Sequence, residues 1–188
     1  MTTTTSLPFT GDADADRLLV SEPLALLIGF ALDQQVTVQK AFSGPAELKK
    51  RIGHLDAATI AAMDADALAT IFQTPPALHR FPGSMAGKVQ ALCQAIADDY
   101  GNRAETVWTE AATGKDLEAR LLGLPGIGAM KARALISIVG NRFGIKPPGW
   151  EDVAPTTPTL GDVDSPEALA TYQANKREQK AAARAAKA

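Results

Sequence analysis

The stretch Leu121-Leu122-Gly123-Leu124-Pro125-Gly126-Ile127-Gly128-Ala129-Met130-Lys131-Ala132-Arg133-Ala134 decides how this chain is read. Gly126 and Gly128 permit positive φ and carry no Cβ to obstruct an approaching backbone. Pro125 stiffens the start of the turn. Leu124 and Ile127 are apolar residues suited to plug the space between two helices. Gly128 then opens a helix whose first amides, those of Ala129 and Met130 among them, have no intrahelical partner. Free amides at the positive end of a helix attract anions, and Lys131 and Arg133 follow on the same helix. Two readings stay open on these residues alone. The turn grips a nucleic-acid backbone, or it only folds the chain. A Walker phosphate loop is excluded, because no strand precedes the glycines and no Gly-Lys-Ser/Thr ends them.

The charge around this stretch is uneven. From Ala119 to Trp150 there is no Asp or Glu, while Arg120, Lys131, Arg133, Arg142 and Lys146 are basic. These cations form an electropositive patch provided that they share a face. Residues 165–188 hold five basic and two acidic groups, which leaves 14 basic and 19 acidic over the rest of the 188 residues. The net charge of −2 therefore hides a basic window and a basic tail inside an acidic body. Taken as a sum it argues against a nucleic-acid binder; taken as a distribution it does not.

Composition narrows the classes further. A chain that is 46% hydrophobic and 21% charged is too apolar to be disordered. The single cysteine, Cys93, excludes an internal disulfide and a four-Cys iron–sulfur cluster or zinc site. No apolar run approaches the ~20 residues of a membrane span. The N-terminus lacks the basic flank and apolar core of a signal peptide. The expectation is an intracellular, cytoplasmic protein.

Ala, Leu, Lys, Gln and Glu dominate, alternating β-branched runs are absent, and Gly, Pro and Asp punctuate often. The fold class expected is all-α with many short helices. Helices are expected at 12–20 after Gly11-Asp12, at 24–38, and at 46–52 after a break at Ser43-Gly44-Pro45. Asp56 and Asp64 read as N-caps of 57–62 and 65–71. Ser84 reads as the cap of 85–100, and further helices are expected at 102–112, 114–122 and 129–143. A proline- and threonine-rich connection follows Lys146. Ser165 and Pro166 start a last helix, which is expected to fray beyond Asn175.

The Leu-Pro-Gly-Ile-Gly string between two amphipathic helices resembles the helix–hairpin–helix of the HhH-GPD DNA glycosylase superfamily, the base-excision repair fold. Two further segments resemble it in order and spacing. Leu32-Asp33-Gln34-Gln35-Val36-Thr37-Val38-Gln39-Lys40-Ala41 looks like the glutamine-bearing helix end usually written L-S-Q-Q or I-G-Q-Q followed by V-x-x-x-x-A. Residues 81–96, with Gly87, Lys88 and Leu92, look like the helix before the hairpin domain. The likeness covers roughly residues 22–153 and is closest to a small branch without an iron–sulfur cluster. It implies a two-lobed domain over 1–163, with the hairpin at 115–143, followed by a helix and basic tail at 164–188.

The resemblance also implies chemistry. A damaged base, alkylated bases included, is flipped from double-stranded DNA into a cleft between the lobes. Amides of Gly126, Gly128 and Met130 hold phosphate, with Ile127, Lys131 and Arg133 alongside. A Na⁺ or K⁺ ion is held by the carbonyls of Leu122, Leu124 and Ile127; no other cofactor is required. Gln34 and Gln35 fill the gap left by the base, or else cap the helix junction. Lyase members carry a lysine where this chain has Met130. Lys131, one position later, is rotated by about 100° and is expected to face phosphate or solvent. A monomeric, monofunctional glycosylase is therefore expected. Its family's catalytic aspartate would fall at 148–150, which is not acidic, so Asp152 is expected to serve, with Glu151 second. Both are alternatively plain solvated carboxylates. Asp33 departs from the family's Ser or Gly; it is a buried cap, part of the base pocket, or an alternative catalytic carboxylate. Phe81 and Trp150 are the other pocket candidates, from a pool of Phe30, Phe42, Phe72, Phe81, Trp108 and Trp150. The competing function is a hairpin DNA-binding module that has lost its chemistry; a protein-interaction scaffold is a third.

Overall fold

The computed structural model describes residues 4–187, and among them there are helices and turns but no strand. The first group of helices is α1 (Ala13–Ser21), α2 (Pro23–Leu32), α3 (Val38–Ile52), α4 (Ala57–Ala62), α5 (Ala65–Gln73) and α6 (Pro82–Asp99). The second is α7 (Thr106–Thr109), α8 (Gly114–Leu122), α9 (Ala129–Ser137) and α10 (Trp150–Val153). A final helix, α11, runs over Pro166–Ala185. The helices of each group pack chiefly among themselves. No helix of the described residues is long and apolar enough to cross a membrane.

Caps read from the sequence hold where a carboxylate or hydroxyl sits at the right offset. Asp12, Asp56, Asp64 and Ser165 accept amides of the first turns of α1, α4, α5 and α11. Apolar α2 has nine buried residues out of ten and forms the centre of the first group. The single thiol lies in the same core, on α6, where burial pushes Cys93 up to about 12.

Four expectations give way to tertiary packing. The helix expected over 24–38 ends at Leu32, because His79 Nε2 bonds the Leu32 carbonyl at 3.0 Å and Gln35 takes φ +56°. The break expected at Ser43-Gly44-Pro45 does not occur, since Pro45 lies inside α3. Gly44 sits so close to α2 that an added Cβ would lie 2.4 Å from Leu32 Cδ1. Burial against α2 thus outweighs the lost proline hydrogen bond. α6 begins at Pro82 rather than after Ser84, with proline supplying the first-turn φ. Only Thr106–Thr109 of the expected 102–112 helix forms.

The helix expected over 129–143 changes pitch. After Ser137 it widens through Ile138–Arg142, closing with Phe143 N–H to the Ile138 carbonyl at 3.1 Å. The Trp150 indole lies against Gly140, where a Cβ would meet its ring at 2.2 Å, and its Nε1 donates to the Ile136 carbonyl at 3.1 Å. Gly140→Ala is expected to cost about 1–3 kcal/mol by overpacking. A lowered urea midpoint at unchanged m-value checks this.

The tail also differs from expectation. α11 continues through Lys176, Arg177 and Lys180 to Ala185, although Leu169 is its only buried residue. Alanine, lysine, arginine and glutamine carry it by intrinsic helix preference rather than by packing.

Candidate functional site

The turn between α8 and α9 has the geometry its sequence implies. Gly126 has φ +83°, a left-handed conformation that costs an L-residue roughly 1–2 kcal/mol. Its α-carbon side lies against the end of α2, where an added Cβ would meet Ala31 Cβ at 3.4 Å. Leu124 and Ile127 are buried, and the Ile127 amide closes the turn onto the Leu124 carbonyl at 3.1 Å. No side chain caps α9. Among the described residues the amides of Gly126, Gly128, Ala129 and Met130 find no acceptor. A helix of nine residues therefore presents its positive end and its free donors together. The carbonyls of Leu122 and Ile127 receive no hydrogen bond either, so they are open to a monovalent cation; Leu124's carbonyl is shared with the turn.

Lys131, expected from its register to face phosphate or solvent, turns back on the hairpin. Its side chain is half-buried, and Nζ donates to the Gly126 carbonyl at 3.2 Å. Met130, beside it, is 74% exposed. The hairpin approaches the end of α2 at Gly126 and Ala31, which brings the Lys131 ammonium within reach of the Asp33 charge.

Asp33 is the C-cap residue of α2 and is half-buried. Burial pushes its carboxyl above the usual carboxylate range, while Lys131 and then Lys176 pull it back. Burial pushes the Lys131 ammonium down, opposed by Asp33 and reinforced by Lys88. Both groups shift towards neutrality, so desolvation dominates over their attraction. No hydrogen bond holds the Asp33 carboxylate. Lys88, from α6, donates to Gln34 Oε1 beside it. The Asp33 carboxylate at the end of α2 thus feels cations from α9 and α11, with Lys88 of α6 bound to the adjacent Gln34.

His79 is buried; its Nδ1 accepts the Phe81 amide at 2.9 Å, while its Nε2 faces the Leu32 carbonyl. The carbonyl needs a donor, which assigns the proton to Nε2 and makes the ring neutral. Burial pushes the imidazole below its ordinary 6.5. Phe81, 40% exposed with Arg80 5.3 Å from its ring centroid, is held at the surface next to this bridge. The lowered folded pKa has a signed consequence. The unfolded chain takes up the proton first as pH falls, so stability present above 6.5 is lost below it. The melting midpoint is expected to fall from about pH 7 to about pH 5, and His79→Gln to flatten that fall.

The other expected site residues lie elsewhere. Glu151 and Asp152 are exposed on α10, which packs on α8, the first helix of the hairpin, and among the described residues neither side chain makes a hydrogen bond or ion pair. Trp150 is buried with its indole on Gly140, so it packs in the core rather than lining a base pocket. Of the aromatic pool only Phe81 is exposed; Phe30, Phe42, Phe72 and Trp108 are core. Gln34 is half-buried and accepts from Lys88, and Gln35 is exposed. Arg133 is exposed on α9. The acid-free window does not make one face. Arg120 is bound by Asp116, four residues upstream, and by the Thr106 carbonyl. Lys146 sits 4.4 Å over the Trp150 ring. The sequence reading missed Lys176, whose charge reaches Asp33 from α11, beyond the proline- and threonine-rich connection, and which leaves no local signature.

No protein-family model matches this chain, and no curated protein matches it.

Proposed function

We propose that this protein is a DNA N-glycosylase of the HhH-GPD type, hydrolysing the bond between deoxyribose and a damaged base flipped from duplex DNA. The observation that carries the reading is the placement of Asp33. A half-buried carboxylate with no hydrogen-bond donor of its own stands beside a helix end with four unused amides. The amides bind the phosphate of the extruded nucleotide. Asp33 then lies where positive charge develops on the sugar as the glycosidic bond breaks, and it orients the attacking water. Its raised pKa keeps it basic enough for that role. Asp33 takes the part that sequence spacing gave to Asp152 and Glu151, because those two are solvated carboxylates while Asp33 is half-buried. Gln34, tied to Lys88, enters the space that the base vacates. A monovalent cation held by the open carbonyls of Leu122 and Ile127 would add positive charge behind the phosphate.

A second reading rests on Lys131. A desolvated amine beside a carboxylate is the arrangement for attack on the sugar carbon through a Schiff base. A panel of lesion-bearing duplexes separates the two. Strand cleavage only after alkali supports hydrolysis; cleavage without alkali, with borohydride trapping lost in Lys131→Gln, supports the amine. Binding without release of any base supports a module that has lost its chemistry.

A further inference from the structure

Between α9, the threonine-rich connection and α11 lies a cavity of about 290 Å³. Arg133 and Lys176 face it from opposite helices, with Thr157, Tyr172, Asn175 and Gln179 between them. No Asp or Glu lines it. Arg133 and Lys176 are exposed, and among the described residues neither is engaged in an ion pair. Lys176 lies 5.0 Å from the centroid of the Tyr172 ring. The register of α11 here is fixed. Gln173 and Gln39 exchange two amide hydrogen bonds, at 2.9 and 3.2 Å, which pin α11 to α3. Met130, whose amide is among the free donors of the hairpin, forms part of the same cavity wall.

We infer that this cavity is a second phosphate subsite for DNA, one that takes a backbone phosphate next to the one held by the hairpin. The inference rests on the DNA-binding reading above and extends it to the C-terminal helix. Two cations converging on an acid-free cavity match an anion bearing one charge, and polar side chains between them supply neutral donors. Continuity with the free amides through Met130 sets the occupant: a strand already held at the hairpin passes this cavity without a gap. The C-terminal helix is then a structural part of the interface through one side chain in fixed register, rather than a tail acting by net charge.

The test is the salt dependence of binding to an undamaged duplex, measured for the full chain and for variants. Each neutralised phosphate contributes about 0.9 to the slope of log affinity against log salt. Arg133→Gln/Lys176→Gln together is expected to lower the slope by about one and weaken binding about fivefold near physiological salt. Arg177→Gln, on the same helix but outside the cavity, is expected to change neither. An unchanged slope in the double variant, with binding still lost on disrupting the hairpin, would overturn the subsite and leave the DNA-binding reading standing. Equal losses from Arg177→Gln and Lys176→Gln would also overturn it, since net charge alone would then explain the effect. Absence of any salt-dependent binding by the unaltered chain would remove both inferences together.

Discussion

Asp33→Asn is expected to slow base release by about 10²–10⁴-fold while leaving duplex binding within a fewfold of the unaltered protein. The asparagine keeps the shape of the α2 C-cap and removes only the charge that meets the developing oxocarbenium ion. Stability is expected to move the other way. A carboxyl whose folded pKa is raised binds its proton more tightly in the folded state, so its favourable contribution is present below 3.8 and is lost as pH rises through the folded value. At neutral pH the ionised Asp33 therefore destabilises the fold, and Asp33→Asn should melt no lower than the unaltered protein. The rate should follow the ionised fraction, rising with pH and reaching half its maximum above 3.8. A variant that loses activity and stability in parallel would point instead to a capping role.

Gly128→Asp is expected to separate folding from binding just as sharply. An added Cβ at Gly128 meets nothing within 4 Å, and φ −89° suits any residue. Aspartate at this N-cap would accept the amides of the first turn of α9 and interact favourably with the helix dipole, for a gain of about 0.3–1 kcal/mol. Those same amides are the ones offered to phosphate. With them occupied and a negative charge in their place, duplex affinity should drop about ten- to a hundredfold. Thermal melting and a binding isotherm on one preparation check both halves. Affinity retained alongside a raised midpoint would show that phosphate is held elsewhere.

Much of this molecule was legible where the signal is local. The Gly126/Gly128 turn, the N-caps at Asp12, Asp56, Asp64 and Ser165, and the bounds Gly114–Leu122 all rest on residues within a few positions of each other. What was not legible depends on partners far along the chain. α2 stops at Leu32 because of His79, 47 residues away, and this is what frees Asp33 from a helix interior. Pro45 stays helical because α2 covers it. The acid-free window looked like one basic face, but Asp116 lies just outside it and neutralises Arg120. Counting along the sequence led to Asp152, whereas the burial that raises the Asp33 pKa could not be counted, since desolvation is a property of the packed fold rather than of spacing.

The measurement that bears most directly on the whole account is single-turnover base release across a lesion panel, with alkali, for the unaltered protein, Asp33→Asn and Asp152→Asn side by side. Alkali-dependent cleavage is expected from the unaltered protein and from Asp152→Asn at similar rates, and slowed by about 10²–10⁴-fold in Asp33→Asn at equal DNA occupancy. Full release by Asp33→Asn, with loss in Asp152→Asn, would contradict it.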